Sequence, residues 1–175
     1  MYPGLAGLDD MVLEPGVEAP SFEAITHTGS RFRFDELRGR IVVLYFYPRA
    51  MTTGCTREAR RFNELLNEFE KLGAVVVGVS TDPPERNKKF AEKHSLHFTL
   101  LSDPEGEVAR LYGVLRQGTK RLSAERVTFV IDRDGRIAEV IKGVRPAEKH
   151  ADLALEAVRR IARPARPGSN QALPY

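Results

Sequence analysis

One cysteine, Cys55, stands alone in the 175 residues of this chain. That excludes an internal disulfide and any zinc site built on several thiolates, and it leaves the thiol inert, reactive or paired with another molecule. Long apolar runs are also missing: the longest, residues 41–47, falls far short of the ~20 residues a membrane-spanning helix needs. No charge of one sign dominates, since 27 basic residues face 24 acidic ones for a net +3. The arginines are scattered and offset by nearby glutamates, as in Arg57-Glu58 and Glu85-Arg86. Such a pattern is a solvated surface, because nucleic-acid binding needs a clustered basic stripe with aromatics. The opening residues 1–11 include Asp9 and Asp10 and have neither a basic nor an apolar region of the signal-peptide kind. A cytoplasmic protein with no membrane and no nucleic-acid partner is expected.

What is present reads as one α/β layered domain over residues 1–162, with a flexible tail expected over 163–175. The first residues, to Val17, are rich in Pro and Gly and predict an irregular lead-in. Apolar and polar residues alternate over 22–25 and 32–34 around a turn-rich connection, an N-terminal β-hairpin signal. A single helical turn is expected at 35–38, ended by Gly39. The β-rich run 41–47 fits a strand buried on both faces, stopped by Pro48.

From Cys55 onward Ala59, Phe62, Leu65, Leu66, Phe69 and Leu72 recur at helical spacing, and Gly73 stands where a helix is left. A second buried strand at 74–79 completes a right-handed βαβ unit with a parallel strand pair. Further expectations are a helix over 84–93, a strand at 98–101, and a short helix carrying Val108, Leu111 and Tyr112. The segments 126–131 and 136–141 flank Asp132-Arg-Asp-Gly135 and predict an antiparallel hairpin. A last helix over 146–161 is expected to bury Leu153, Val158 and Ile161. The whole is a mixed central sheet flanked by helices.

Cys55 falls between the end of a buried strand and the start of a long helix, where parallel sheets build their sites. Helix N-termini offer unpaired N–H groups and partial positive charge. Both favour a thiolate over a thiol, and the thiolate is the nucleophile. Thr52 and Thr53 have hydroxyls that can cap the helix or bond the sulfur, and Gly54 leaves space beside it. Most lone cysteines are small buried hydrophobes, but this one lies in a polar, Gly-containing junction.

Pro48, Thr52 and Cys55 match the peroxiredoxin pattern Pro-x-x-x-Thr-x-x-Cys. The longer strings Phe46-Tyr-Pro-Arg49 and Thr53-Gly-Cys-Thr-Arg-Glu-Ala59 resemble the Q-type subfamily, also called bacterioferritin comigratory protein. The likeness runs through Leu101-Ser-Asp-Pro104 and Arg126-Val-Thr-Phe129 and spans about residues 14 to 162. It implies a thioredoxin-like fold and a thiol-dependent peroxidase that reduces hydrogen peroxide and organic hydroperoxides in antioxidant defence and redox homeostasis. By that resemblance Cys55 is the peroxidatic cysteine, oxidised to a sulfenic acid. Thr52 holds the thiolate and peroxide, Pro48 shields the pocket, and Arg126 stabilises the developing charge. Glu58 resembles a residue that tunes the nearby arginine, although an exposed helix carboxylate reads equally well there. No cofactor or metal is implied, and His27, His94, His97 and His150 are assigned no role.

Many Q-type members carry a second cysteine five residues after the first, where this chain has Arg60. The resemblance is therefore to a one-cysteine variant, resolved by an external thiol such as thioredoxin, glutaredoxin or a small thiol. A monomer or weak homodimer is expected. Two other readings stand beside this one. Cys55 and Arg61 satisfy the Cys-x5-Arg spacing of phosphatases, but the intervening residues lack Gly and read as helix. A thioredoxin-like redox sensor would need the same activated thiol.

Overall fold

The computed structural model describes residues 11–117 and 120–162, so the expected tail at 163–175 and the first part of the lead-in lie outside the described residues. The chain forms β1 (Glu23–Thr26), β2 (Arg31–Arg33), β3 (Ile41–Phe46), α1 (Thr53–Glu64), α2 (Leu66–Lys71), β4 (Ala74–Ser80), α3 (Pro84–Lys93) and β5 (Thr99–Ser102). It continues with α4 (Glu107–Leu111), β6 (Leu115–Gln117), β7 (Leu122–Ala124), β8 (Val127–Ile131), β9 (Ile137–Lys142) and α5 (Lys149–Ala162). Seven strands make one mixed sheet in the order β2-β1-β5-β4-β3-β8-β9. β3, β4 and β5 are parallel, β1 is antiparallel to β5, and β8 is antiparallel to β3. The N-terminal hairpin thus ends one edge of the sheet and the β8–β9 hairpin the other.

β3 is central because every one of its six residues is buried. Its alternate side chains feed two cores, as the pleat requires. Ile41, Val43 and Tyr45 pack with Phe62, Phe69, Phe90, Leu155 and Val158 from α1, α2, α3 and α5. Val42, Leu44 and Phe46 face the other way, onto Phe22, Phe34, Val108 and Tyr112. Helices therefore lie on both sides of the sheet, but unequally. The second face is covered mainly by the short α4, a 3-10 turn at Phe34–Leu37 and the chain before β1.

Three details differ from the sequence pattern. The single helix expected from Cys55 to Leu72 is broken at Leu65, whose backbone (φ −94°, ψ 3°) leaves the helical region. The break lets α2 turn Leu66 and Phe69 into the core while α1 buries Cys55, Glu58, Ala59 and Phe62. The last helix starts at Lys149, because residues 149–151 bond back three residues in a tight turn instead of four. It buries Ala151, Ala154, Leu155, Ala157 and Val158, whereas Leu153 and Ile161 are only partly covered. β6 and β7 form a small two-stranded sheet absent from the expectation. Gly73 has φ 79°, the left-handed turn that ends α2.

Candidate active site

The site sits at the carboxyl end of β3. Tyr47 continues the parallel pairing by donating its N–H to Val79 O, and Pro48, with no N–H to give, ends it. Residues 48–52 then cross to α1. Ala50 is fully buried; its N–H donates to Asp82 Oδ2 at 2.7 Å and its carbonyl accepts from Arg86 Nη2 at 2.9 Å. Met51 follows with φ 73°, a left-handed conformation that costs a residue with a Cβ about 1 kcal/mol. Thr52 is the N-cap of α1, but its hydroxyl makes no capping bond and donates to Arg49 O at 2.9 Å. Thr52 is exposed and Pro48 half-buried.

Cys55 lies in the first turn of α1 and is 1% exposed. The first backbone bond of that turn runs from Thr56 N to Thr52 O, so the N–H groups before it have no partner within the helix. Sheet register delivers the second member of the site. Phe46 pairs with Val127 across β3 and β8, which sets Arg126 beside the carboxyl end of β3. Arg126 Nη2 donates to Cys55 Sγ at 3.6 Å. Its other terminal nitrogen, Nη1, donates to Glu58 Oε1 at 2.6 Å. Gly54 lies beside them, and a Cβ there would stand 3.0 Å from Arg126 Nη2.

Glu58 is one turn beyond Cys55 and fully buried, which decides between its two sequence readings: it is no exposed helix carboxylate. Burial pushes its carboxyl up to about 8, against the pull of Arg126. Its second oxygen, Oε2, has no hydrogen-bond partner and lies 3.8 Å from His150 Nδ1. His150 is buried on α5 and shares a 2.9 Å hydrogen bond with Thr128 of β8. Burial, with Arg126 nearby, lowers the imidazole to about 4, so it is neutral at pH 7. Arg126 itself is held in its charged form by Glu58 and Cys55, although burial opposes it. A cleft of about 700 Å³ opens beside this cluster, lined by Arg126, Val144, Arg145, Pro146, Ala147 and His150.

The structure thus brings Cys55 and Arg126 into contact and places Thr52 and Pro48 on the loop that leads into the cysteine's helix. His150 was assigned no role from sequence, yet it belongs to the buried cluster behind Arg126. Arg61 points elsewhere, pairing with Asp152 at 2.7 Å and Glu64 at 3.0 Å, and residues 56–60 are helical. A phosphate-wrapping loop is therefore absent. Among the described residues no group of three or more metal-ligating side chains is gathered, and no helix is long and apolar enough to cross a membrane.

Comparison with known proteins gives a consistent picture. The AhpC/TSA family profile matches residues 15–140. Peroxiredoxin Bcp of Bacillus subtilis is 37% identical over 153 residues, covering 85% of this chain and 97% of its own length. The crystal structure of peroxidoxin BcpB from Mycobacterium tuberculosis superposes with a TM-score of 0.81 at 42% identity, covering 85% of this chain and 98% of that one. The bacterioferritin comigratory protein of Xanthomonas campestris, whose structure was determined for its alkyl peroxide reduction activity, matches with a TM-score of 0.78 at 30% identity. That match covers 86% of this chain and all (100%) of that one.

Proposed function

Because the chain belongs to the AhpC/TSA family of peroxiredoxins, within it to the bacterioferritin comigratory (Q-type) proteins, and is a thiol-dependent peroxidase, we propose that Cys55 is its peroxidatic centre and Arg126 the cation that activates it. The observation that carries this reading is the 3.6 Å approach of Arg126 Nη2 to Cys55 Sγ in the first turn of a helix. A cationic donor held on the sulfur stabilises the negative charge of an attacking thiolate.

The thiolate attacks the terminal oxygen of a hydroperoxide ROOH. The S–O bond forms as the O–O bond breaks, leaving Cys55 as a sulfenic acid and releasing RO⁻, which takes a proton to become water or an alcohol. Arg126 stabilises the negative charge as it moves from sulfur to the departing oxygen. In this reading the Thr52 hydroxyl turns from Arg49 O to orient the peroxide, and Pro48 shields the pocket from water.

With no second cysteine, the sulfenic acid condenses with an external thiol, losing water to give a mixed disulfide. A second thiol then displaces Cys55. Thioredoxin, glutaredoxin or a small cytoplasmic thiol each fit this chemistry, and a reducing compartment supplies them. The test is peroxide consumption with dithiothreitol by the original protein and by Cys55→Ser. Turnover by the first and none by the second is expected; equal slow loss in both would remove Cys55 from the mechanism.

A further inference from the structure

Two residues that no part of the peroxidase reading uses hold the loop before Cys55. Asp82 follows β4 and is fully buried, and Arg86 lies one helical turn later, on α3. Asp82 Oδ2 accepts from Ala50 N–H at 2.7 Å and from Ser80 Oγ at 2.7 Å. Arg86 Nη2 donates to Ala50 O at 2.9 Å, and Arg86 Nε lies 3.1 Å from Asp82 Oδ1. One residue of the loop is therefore gripped at both its N–H and its carbonyl, on two successive peptide planes.

We propose that Asp82 and Arg86 are positioning residues for peroxide reduction, acting through Ala50 on the loop that carries Pro48 and Thr52; the inference rests on Cys55 being the peroxidatic centre. The conformation after Ala50 supplies the reason. Met51 adopts φ 73°, which a residue with a side chain avoids unless its surroundings over-determine it. The peptide plane on which that angle turns is the one whose carbonyl Arg86 holds. Releasing it lets Met51 relax to negative φ, and Thr52, the next residue and the N-cap of α1, changes direction with it. Behind the clamp the support is itself anchored. Asn87 accepts from Tyr47 Oη at 2.6 Å and donates to Ser102 Oγ at 3.1 Å. The loop is thus referenced to the sheet, and not to solvent.

The experiment compares Arg86→Ala, Arg86→Lys, Asp82→Ala and Asp82→Asn by two rates at one pH. The first is oxidation of Cys55 by hydrogen peroxide, which needs peroxide and thiolate aligned. The second is alkylation of Cys55 by iodoacetamide, which needs an accessible thiolate but no alignment by Thr52 or Pro48. Arg86→Ala is expected to slow peroxide oxidation roughly 10–100-fold, with alkylation unchanged or faster. Asp82→Asn keeps an acceptor for Ala50 N–H and is expected to recover most of the rate lost in Asp82→Ala. Arg86→Lys, with one donor head for two partners, falls between. Oxidation of Arg86→Ala within two-fold of the original would overturn the proposal. So would a parallel fall of both rates together with lost thermal cooperativity, which would mean a general role in folding. If the Cys55 reading itself fails, the unaltered protein lacks the fast reference rate, so the two failures are distinct.

Discussion

Glu58 Oε1 accepts a 2.6 Å hydrogen bond from Arg126 Nη1 in a site where the carboxyl group is fully buried. The bond fixes the plane of the guanidinium, so that Nη2 is directed at Cys55 Sγ. It also divides the charge of Arg126 between a permanent partner and a reacting sulfur. On the proposed mechanism Arg126 meets the peroxide already oriented, and little reorganisation is left for the reaction itself.

Removing Arg126 should hurt twice. Arg126→Ala takes away a donor to the sulfur and to the developing oxyanion, and a loss of roughly 10²–10³-fold in kcat/KM is expected. It also leaves the buried Glu58 carboxyl without its donor, with an expected loss of about 2 kcal/mol in stability. The double variant Arg126→Ala/Glu58→Gln should recover part of that stability and none of the activity. Urea unfolding beside peroxide kinetics separates the two; equal stability of the single and double variants would show that the unpartnered Glu58 carries no cost.

The same cluster predicts how stability depends on pH. Glu58 holds its proton up to about 8 against an ordinary value of 4.5, so its contribution is present at low pH and is lost as pH rises through 8. His150 is lowered to about 4 from 6.5, so its contribution is present above 6.5 and is lost as pH falls through 4. Between 4.5 and 6.5 the two oppose each other. Above pH 6.5 Glu58 acts alone, and stability should fall on the order of 1–2 kcal/mol by pH 8. Glu58→Gln should flatten that slope and leave stability rising between pH 4 and 6.5, whereas His150→Asn should leave stability falling from about pH 4.5 upward. Denaturant midpoints measured across the range check both, and identical curves for all three proteins would refute the assignment.

Much of the architecture is legible in the sequence because a strand buried on both faces needs an unbroken apolar run, and 41–47 and 74–79 supply two. The helix expected over 84–93 matches α3, since Pro84 begins it naturally and the apolar Phe90 and Ala91 share its buried side. Arg126 and Cys55 are legible through the family pattern, and the antiparallel register of β3 and β8 explains why residues so distant meet. Burial of polar groups is harder to read, since it depends on a partner from elsewhere in the chain. A signal for Glu58 did exist: it shares a helix face with Cys55, Ala59 and Phe62, the spacing of an inward stripe. His150 likewise shares a face with Ala154 and Val158. The strands β6 and β7 are three residues each and carry too little alternation to be seen.

Gly54 offers a test of alignment that leaves the charges in place. A Cβ at this position would stand 3.0 Å from Arg126 Nη2, a contact the flexible arginine relieves by moving a few tenths of an ångström. Gly54→Ala should therefore fold normally, aided by alanine's better helix propensity, while displacing the cation from the sulfur. A fall of roughly 10-fold in peroxide oxidation with an unchanged or higher melting temperature is expected. Full activity would mean that the guanidinium position is not critical.

The deep burial of Cys55 sets the last prediction. At 1% exposure its sulfenic acid is out of reach of a protein thiol, and this chain has no cysteine of its own to meet it. Resolution then requires the first turn of α1 to open. The opening has natural limits, because Ala50 is held by Asp82 and Arg86 on one side and Glu58 by Arg126 on the other. The bond from Thr56 N to Thr52 O lies between those anchors and is the one that must break. Hydrogen exchange after one equivalent of peroxide should show amides 56 and 57 exchanging at least ~10-fold faster than in the reduced protein, with α3 unchanged. Equal protection in both states would mean that the reductant reaches Cys55 without unwinding. In that case the cleft beside Arg126 is the entry route, and a small thiol the reductant it admits.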